Sequence, residues 1–405
     1  MEQNTVPLAL FDALEHMEET SKNISNNYQH ENDFHYTVNF LKCYVGSQGT
    51  FNSYRREVER LLHWSWLVAK KSIIELRRDD IEAFIRFCQK PPLTWIGTKK
   101  APRFILLQGK RIQNSDWRPF VATVSKFAHR KGQKPNVNKF QLSQGAIKEI
   151  FAILSSLYNY LLQEEYATMN PVALIRQKSK FIRKQQGHSK IRRLSALQWQ
   201  YVINTVEKLA EHNPKSHERT LFIMSALYSM YLRISELSAN ERWQPKMNDF
   251  QRDHDGNWWF TTVGKGNKER QIAVSDAMLE ALKRWRSYLG LTTLPSPADN
   301  SPLLPKAKGQ GSITSTTYIR EIVQKCFDFA VDNLKKDGYQ EEAETLLEAT
   351  VHWLRHTGIS EDVKHRPREH VRDDAGHSTS AITDKYIDIE LKERHRSAKK
   401  KIIIT

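Results

Sequence analysis

The segment V-H-W-L-R-H-T-G, Val351 to Gly358, sets an arginine between two histidines; A-G-H-S-T-S-A-I-T-D-K-Y, Ala375 to Tyr386, follows with a third histidine and a tyrosine nine positions after it. On a helix, His352 and Arg355 are three apart and share a face, so both can reach one anion. An arginine fork fits two phosphate oxygens, and a second arginine from another element, Arg233 in Y-L-R-I-S-E-L, completes a clamp. Such clamps stabilise charge that builds on a transferring phosphoryl group. Arg233, Lys265, His352, Arg355, His377 and Tyr386 together make a set for phosphoryl chemistry in which no metal is obligatory, and no convincing acidic metal cluster stands out in the chain.

Taken singly, each residue has an ordinary explanation. His352 and His356 have a zinc-like i, i+4 spacing, but H-W-L-R-H lacks the glutamate of H-E-x-x-H. A helical tyrosine usually packs, a lysine in a Gly-rich turn is usually solvated, and Glu236, one turn after Arg233, can simply pair with it. The order and spacing of the whole set weigh against coincidence.

The elements that must carry these residues fall into two groups. A chain of 405 residues exceeds what one core usually organises. Lys and Arg outnumber Asp and Glu by 62 to 46, a formal +16 that points to a polyanionic partner, with DNA, RNA and an anionic membrane surface all open on charge alone. The longest apolar stretch, Leu221 to Leu232, is too short to span a bilayer. The start of the chain lacks the pattern of a secretory signal, and Cys43, Cys88 and Cys326 are far apart, which fits a reducing cytosolic setting without disulfides or zinc.

Residues 1–34 read as a loosely held N-terminal extension or one short helix. Apolar periodicity then predicts helices over Phe51–Leu67, from the Asp79-Asp80 cap to Cys88, and from the Ser143 cap to Leu162, within a helical domain over 35–172. Residues 93–135, basic and rich in Gly and Pro, are an insertion with no assigned structure. Residues 173–193 form a basic linker whose cations Arg176, Lys178, Lys180, Arg183, Lys184, Lys190, Arg192 and Arg193 occur without one acidic residue over 176–193. Such a run is either a solvated linker or a strap along a phosphate backbone. The second domain, 194–405, opens at Leu194-Ser195. It should hold a helix to about Glu211, another over Leu221–Met230, a hairpin of Asn257–Val263 and Arg270–Val274, and further helices over Ala277–Leu289 and Thr316–Leu334.

With these residues in hand, the sequence resembles the tyrosine recombinase or phage integrase family. L-R-I-S-E-L matches its Arg-x-x-Glu-Leu box, V-G-K-G-N-K-E-R its lysine hairpin, H-W-L-R-H-T its His-x-Leu-Arg-His-Thr box, and A-G-H to Tyr386 its final segment. Four boxes in order form a specific signal, and a helical domain before a basic linker and a Leu-Ser start extends the match upstream to about Tyr36.

The resemblance implies a mainly α chain with a small β-hairpin or sheet (α+β), in which a helical, SAM-like core-binding domain and an integrase-type catalytic domain form a C-shaped clamp on DNA. It implies a site-specific recombinase that cleaves and rejoins DNA through a 3'-phosphotyrosyl link on Tyr386. Arg233 and Arg355 would hold the non-bridging oxygens, helped by His352 and His377, with Lys265 as general acid, Lys268 its rival, and Glu236 and His356 as supports behind the reacting groups. No cofactor is implied. The partners would be double-stranded DNA and three further copies in a homotetramer on two sites, with accessory DNA-bending proteins an option and no membrane, in a cytoplasmic, nucleoid-associated setting of bacterial or phage type. The role would be integration or excision of a mobile element. A type IB topoisomerase-like relaxation activity and a non-catalytic DNA-binding regulator are the alternatives. The chain departs from the family at Ala375, where leucine is usual, in the charged segment from Gly358 to Asp374, in an apparent insertion at Gly338–Glu348, and at 93–135.

Overall fold

The computed structural model describes residues 6–24, 30–178, 181, 192–264, 266–384, 386 and 398–399, the side chains at 22–24, 174, 176–178 and 381 apart. The chain divides into two compact units, Met1–Gln186 and Gly187–Thr405.

The first unit is built on helices Glu31–Lys42, Gln48–Trp64, Arg78–Gln89, Gln144–Gln163 and Pro171–Lys178. Ser143 starts the longest of them by accepting the Ala146 N–H, and the expected stripe Ile147, Ile150, Phe151, Leu154, Tyr158 and Leu161 is buried. Asn170 caps the next helix, accepting from the Val172 and Ala173 N–H groups.

Two expectations change here. The extension over residues 1–34, expected to be loosely held or one short helix, does hold a short helix, Met17–Ile24, but is not loose: it contributes Ala9, Leu10, Phe11 and Met17 to the core. Glu59, itself buried, accepts the Leu10 N–H at 2.7 Å, and Gln113 donates to the Ala9 carbonyl at 2.8 Å. The region without assigned structure, 93–135, contains a short parallel pair, Ile96–Gly97 with Phe120–Val121, and an antiparallel hairpin, Phe104–Leu107 with Lys110–Gln113. Gln108 and Gly109 both have positive φ, the two-residue turn that suits a twisted hairpin. Trp95, Trp117 and Phe120 are buried, and Arg60 donates to the Pro119 carbonyl at 2.7 and 2.9 Å, so the basic composition overlies a packed interior.

The second unit opens with helix Ala196–His212, capped reciprocally by Ser195 and Gln198, and continues through Pro214–Ser229. The expected hairpin is Trp258–Val263 with Glu269–Ala273, Val263 opposite Glu269, and a third strand, Phe250–Arg252, extends it into an antiparallel sheet. Helices Asp276–Tyr288, Thr316–Lys336, Gln340–Leu346, Val351–Asp362, Arg368–Ala375 and Ser380–Asp384 complete the unit. The apparent insertion at Gly338–Glu348 includes a helix that buries Ala343 and Leu346 and anchors the first helix, Gln198 Nε2 donating to the Glu342 carbonyl at 2.9 Å. Among the described residues, no helix is long and apolar enough to cross a membrane.

Candidate active site

The described residues of the site belong to the second unit, and its floor is a small apolar cluster of Tyr231, Ile359, Val371, Ala375 and Tyr386. Tyr231 follows the Pro214–Ser229 helix with φ of +50°, a left-handed conformation rare for a bulky side chain. The turn aims the Tyr231 carbonyl at Arg355, whose Nη1 donates to it. The ring stays buried, and its hydroxyl donates to Asp362. The charged segment that departs from the family here forms a lattice: Arg366 donates to the Tyr231 hydroxyl at 2.9 Å, to Asp362 at 3.2 Å and to Asp374 at 2.5 Å.

Close approach between the Val351–Asp362 helix and the one before Tyr231 depends on Gly358. A Cβ there would stand 2.1 Å from the Tyr228 carbonyl oxygen. Arg355, three residues earlier, is thereby carried into the interior, 3% exposed. Its Nη2 donates to the Ala375 carbonyl at 2.6 Å and to His377 Nε2 at 3.3 Å. Since a guanidinium only donates, His377 Nε2 accepts, and Nδ1 carries the proton toward Thr383 Oγ1, 2.9 Å away. Ala375, small where the family favours leucine, is fully buried under this segment.

Arg233 precedes the short helix Ile234–Leu237. Its backbone N–H and Nη1 donate to the two oxygens of Glu236, at 2.7 and 3.0 Å. The same carboxylate takes a two-pronged bond from Arg270 in the last strand, at 2.7 and 2.8 Å. Arg270 is not among the residues singled out by sequence. Neither are Thr383 and the close-packed Gly264 and Gly376, the glycines for want of any sequence marker that a guanidinium presses on them.

His356 Nδ1 lies 2.6 Å from the Tyr386 hydroxyl. The His352 and His356 rings meet edge to face at 4.4 Å, and His377 stacks on Tyr386 at 5.7 Å. His356, expected to stand behind the reacting groups, thus touches the tyrosine directly.

The electrostatics follow from three guanidinium groups around one carboxylate. Burial would raise the Glu236 carboxyl, but Arg270 and Arg233 overcome it and hold it below the ordinary value. Burial, then the nearby Arg233 charge, pulls Arg355 down to about 10. Burial and neighbouring cations push His356 and His377 down to about 4, and His352 is lowered by the same causes, so all three rings are neutral near pH 7. Burial raises Tyr386 above its ordinary value, with Arg355 and Arg233 pulling the other way. A site with surplus positive charge, neutral imidazoles and an un-ionised tyrosine is suited to receive an anion and activate the hydroxyl only when it arrives.

Of the expected site residues, Arg355, His377, Tyr386, His356 and His352 thus lie along one connected set of contacts, and the Arg233–Glu236 pair joins it through Arg270 and the Asp374–Ala375 backbone. Lys265 lies outside the described residues; its rival Lys268 is exposed, with its carbonyl accepting the Gly264 N–H at 2.8 Å. Of the linker cations, Arg192 is exposed and Arg193 half-buried; Arg176 and Lys178 sit on the Pro171–Lys178 helix, and Lys180, Arg183, Lys184 and Lys190 lie outside the described residues.

Residues 192–393 match the model of the phage integrase family. Tyrosine recombinase XerC of Actinobacillus pleuropneumoniae serotype 7 (strain AP76) is 29% identical over 186 residues, 45% of this chain and 53% of that protein, so the chain spans about half the length of this relative. Among solved structures, the XerH site-specific recombinase bound to palindromic difH substrate in a post-cleavage complex is similar with a TM-score of 0.57 at 15% identity, over 98% of this chain and 91% of that one. Its pre-cleavage complex gives 0.53 at 14% identity, over 98% and 92%. These likenesses give the fold: mainly α with small sheets, of the integrase type.

Proposed function

The chain belongs to the phage integrase family of tyrosine recombinases, and on that premise we propose that it is a site-specific recombinase that breaks and rejoins DNA through a covalent link to Tyr386. The observation that carries the reading is the Tyr386 hydroxyl held by neutral His356 in the same cluster as the buried guanidinium of Arg355.

In the proposed step, the scissile phosphate docks on Arg233 and Arg355, with His352 at another of its oxygens and His377, whose Nε2 accepts from Arg355, holding that guanidinium in place. Tyr386 Oη attacks phosphorus, its proton passing to His356 Nδ1; the new P–O bond forms as the bond to the 5'-oxygen breaks. Lys265, by the family resemblance, gives the leaving oxygen its proton, with Lys268 the alternative donor. The charge that gathers on the phosphoryl oxygens is met by guanidinium groups already fixed in place, so little reorganisation is needed. The phosphotyrosyl bond retains the energy of the phosphodiester, and attack by a 5'-hydroxyl from a second duplex reseals the strand without ATP.

The substrate is double-stranded DNA, held in part by the cations of 176–193, and exchange is carried out by a homotetramer on two sites, with integration or excision of a mobile element as the biological event. The test is incubation with DNA from the flanks of its own gene, quenching in SDS, and comparison of wild type with Tyr386→Phe. A protein-linked DNA band in wild type alone is expected. No band on intact or nicked duplex, with binding retained, would overturn the reading in favour of a DNA-binding regulator. Relaxation of supercoils without pairwise exchange would favour a topoisomerase.

A further inference from the structure

Arg270 lies between two parts of the site that are far apart along the chain. On one side its Nη1 and Nη2 fill one lone pair on each oxygen of Glu236. On the other, its Nε donates to the Asp374 carbonyl at 3.0 Å, one residue before the Ala375 carbonyl that receives Arg355. Its side chain is 10% exposed and that of Glu236 is 1% exposed. Space for it is kept by two glycines. A Cβ on Gly264 would stand 3.0 Å from both Arg270 Nη1 and Glu236 Oε1; one on Gly376, which has φ of +63°, would stand 2.9 Å from Arg270 Cδ.

With four donors on Glu236, the carboxylate is saturated. Arg233 is left with one side-chain bond to it, at 3.0 Å, and among the described residues its guanidinium makes no other hydrogen bond that competes with an incoming anion. Without Arg270, a buried carboxylate with vacated lone pairs would draw Arg233 into a two-pronged pair, since an unpaired buried charge is costly. The cation meant for the phosphate would then be neutralised at home.

We infer that Arg270 is a positioning residue for strand cleavage: it occupies Glu236 so that the free N–H groups of Arg233 face the phosphate, and it ties the Asp374–Ala375 backbone in place beneath Arg355. One guanidinium thereby sets the register of both arginines of the clamp. The inference rests on the proposed function and goes beyond it in naming what orients the clamp.

The experiment uses the full chain and nicked duplexes from the flanks of its own gene, comparing wild type, Arg270→Gln, Arg270→Lys and the double variant Glu236→Gln/Arg270→Gln. DNA affinity and the single-turnover rate of the SDS-stable adduct are measured separately. Arg270→Gln is expected to lower the adduct rate about 100-fold, the scale of a small misplacement of reacting groups, with DNA affinity held within about two-fold. Arg270→Lys, which keeps the charge and loses the fork, is slowed about ten-fold. The double variant, freed of the uncompensated carboxylate, recovers about ten-fold over Arg270→Gln.

A wild-type rate in Arg270→Gln would overturn the inference, as would rate and affinity falling in step or a folded double variant as slow as the single one. Should Arg270→Gln not fold, Arg270→Lys decides: a wild-type rate there overturns the inference, and a loss confined to the rate supports it. Failure of the wild type to form an adduct would instead bring down the proposed function, and this inference with it.

Discussion

His356 Nδ1 and the Tyr386 hydroxyl oxygen are 2.6 Å apart, a hydrogen bond between a neutral imidazole and the candidate nucleophile. The ring is poor at taking a proton while the site is empty, because burial and the neighbouring His352 and Arg355 disfavour its charged form. A docked phosphate would offset those positive surroundings and raise its proton affinity at the moment the tyrosine must lose its proton. His356→Ala should therefore slow adduct formation about 100-fold with DNA affinity unchanged. Single-turnover assays on a nicked duplex check this; an unchanged rate would reduce His356 to a packing partner.

Gly358 tests how much the site depends on close helix approach. With Tyr228 O only 2.1 Å from a Cβ at that position, Gly358→Ala should destabilise the second unit by about 3 kcal/mol or prevent its folding. Gly145→Ala is the contrast. Its Cβ would meet only Ser143 Oγ at 3.7 Å, and the gain in helix propensity should stabilise the first unit by about 0.5 kcal/mol. Urea unfolding of each variant reads both signs.

The first unit carries its own acid sensitivity. His63 is buried, donates from Nε2 to the Leu8 carbonyl at 2.9 Å, and has no hydrogen-bond partner on Nδ1 among the described residues. Burial pushes it down to about 4, against about 6.5 for a free histidine. Between those values the unfolded chain binds a proton that the folded chain refuses, so stability is full above about pH 6.5 and falls as pH drops toward 4, by a total on the order of 3 kcal/mol. Denaturant unfolding of wild type and His63→Leu across this range is the check: the variant should lose that part of the pH dependence, and parallel curves would refute the assignment.

If the linker follows a phosphate backbone, its cations release counterions on binding. Replacing Lys190 and Arg192 with glutamine should lower the slope of log affinity against log salt by about 0.9 for each phosphate that is no longer neutralised, for specific and random duplexes alike. An unchanged slope would make the run a solvated connector.

What is legible in the sequence, and what stays hidden, divides along physical lines. Long helices such as Gln144–Gln163 announce themselves because burial repeats every three or four residues and a serine marks the start. The hairpin of Trp258–Val263 and Glu269–Ala273 is visible for a similar reason, flanking a glycine-rich turn. Strands of two to four residues within 93–135 carry no such period, and their buried aromatics sit amid lysines and arginines. The burial of Ala9 to Phe11 shows in the sequence only as a short apolar patch, Val6 to Leu14, because the groups that hold them, Glu59 and Gln113, are far along the chain. In the site, residues within one box can be grouped by spacing. The bond between Glu236 and Arg270 crosses 34 positions and has no such marker, and the spacing of His356 says nothing of which way its ring turns, toward the tyrosine rather than behind the reacting groups.

The burial of the chain's early residues bears on how the protein is made. Ala9 waits for Gln113, 104 positions later, and Asp12 for Arg111. At ribosomal speed that interval lasts about 5–20 s, during which Leu10 and Phe11 have only part of their core to enter, Phe34 and Glu59 being made before the hairpin. The first unit can therefore close only after the hairpin has been translated, and a stalled nascent chain shorter than this would display those side chains to chaperones or to its neighbours.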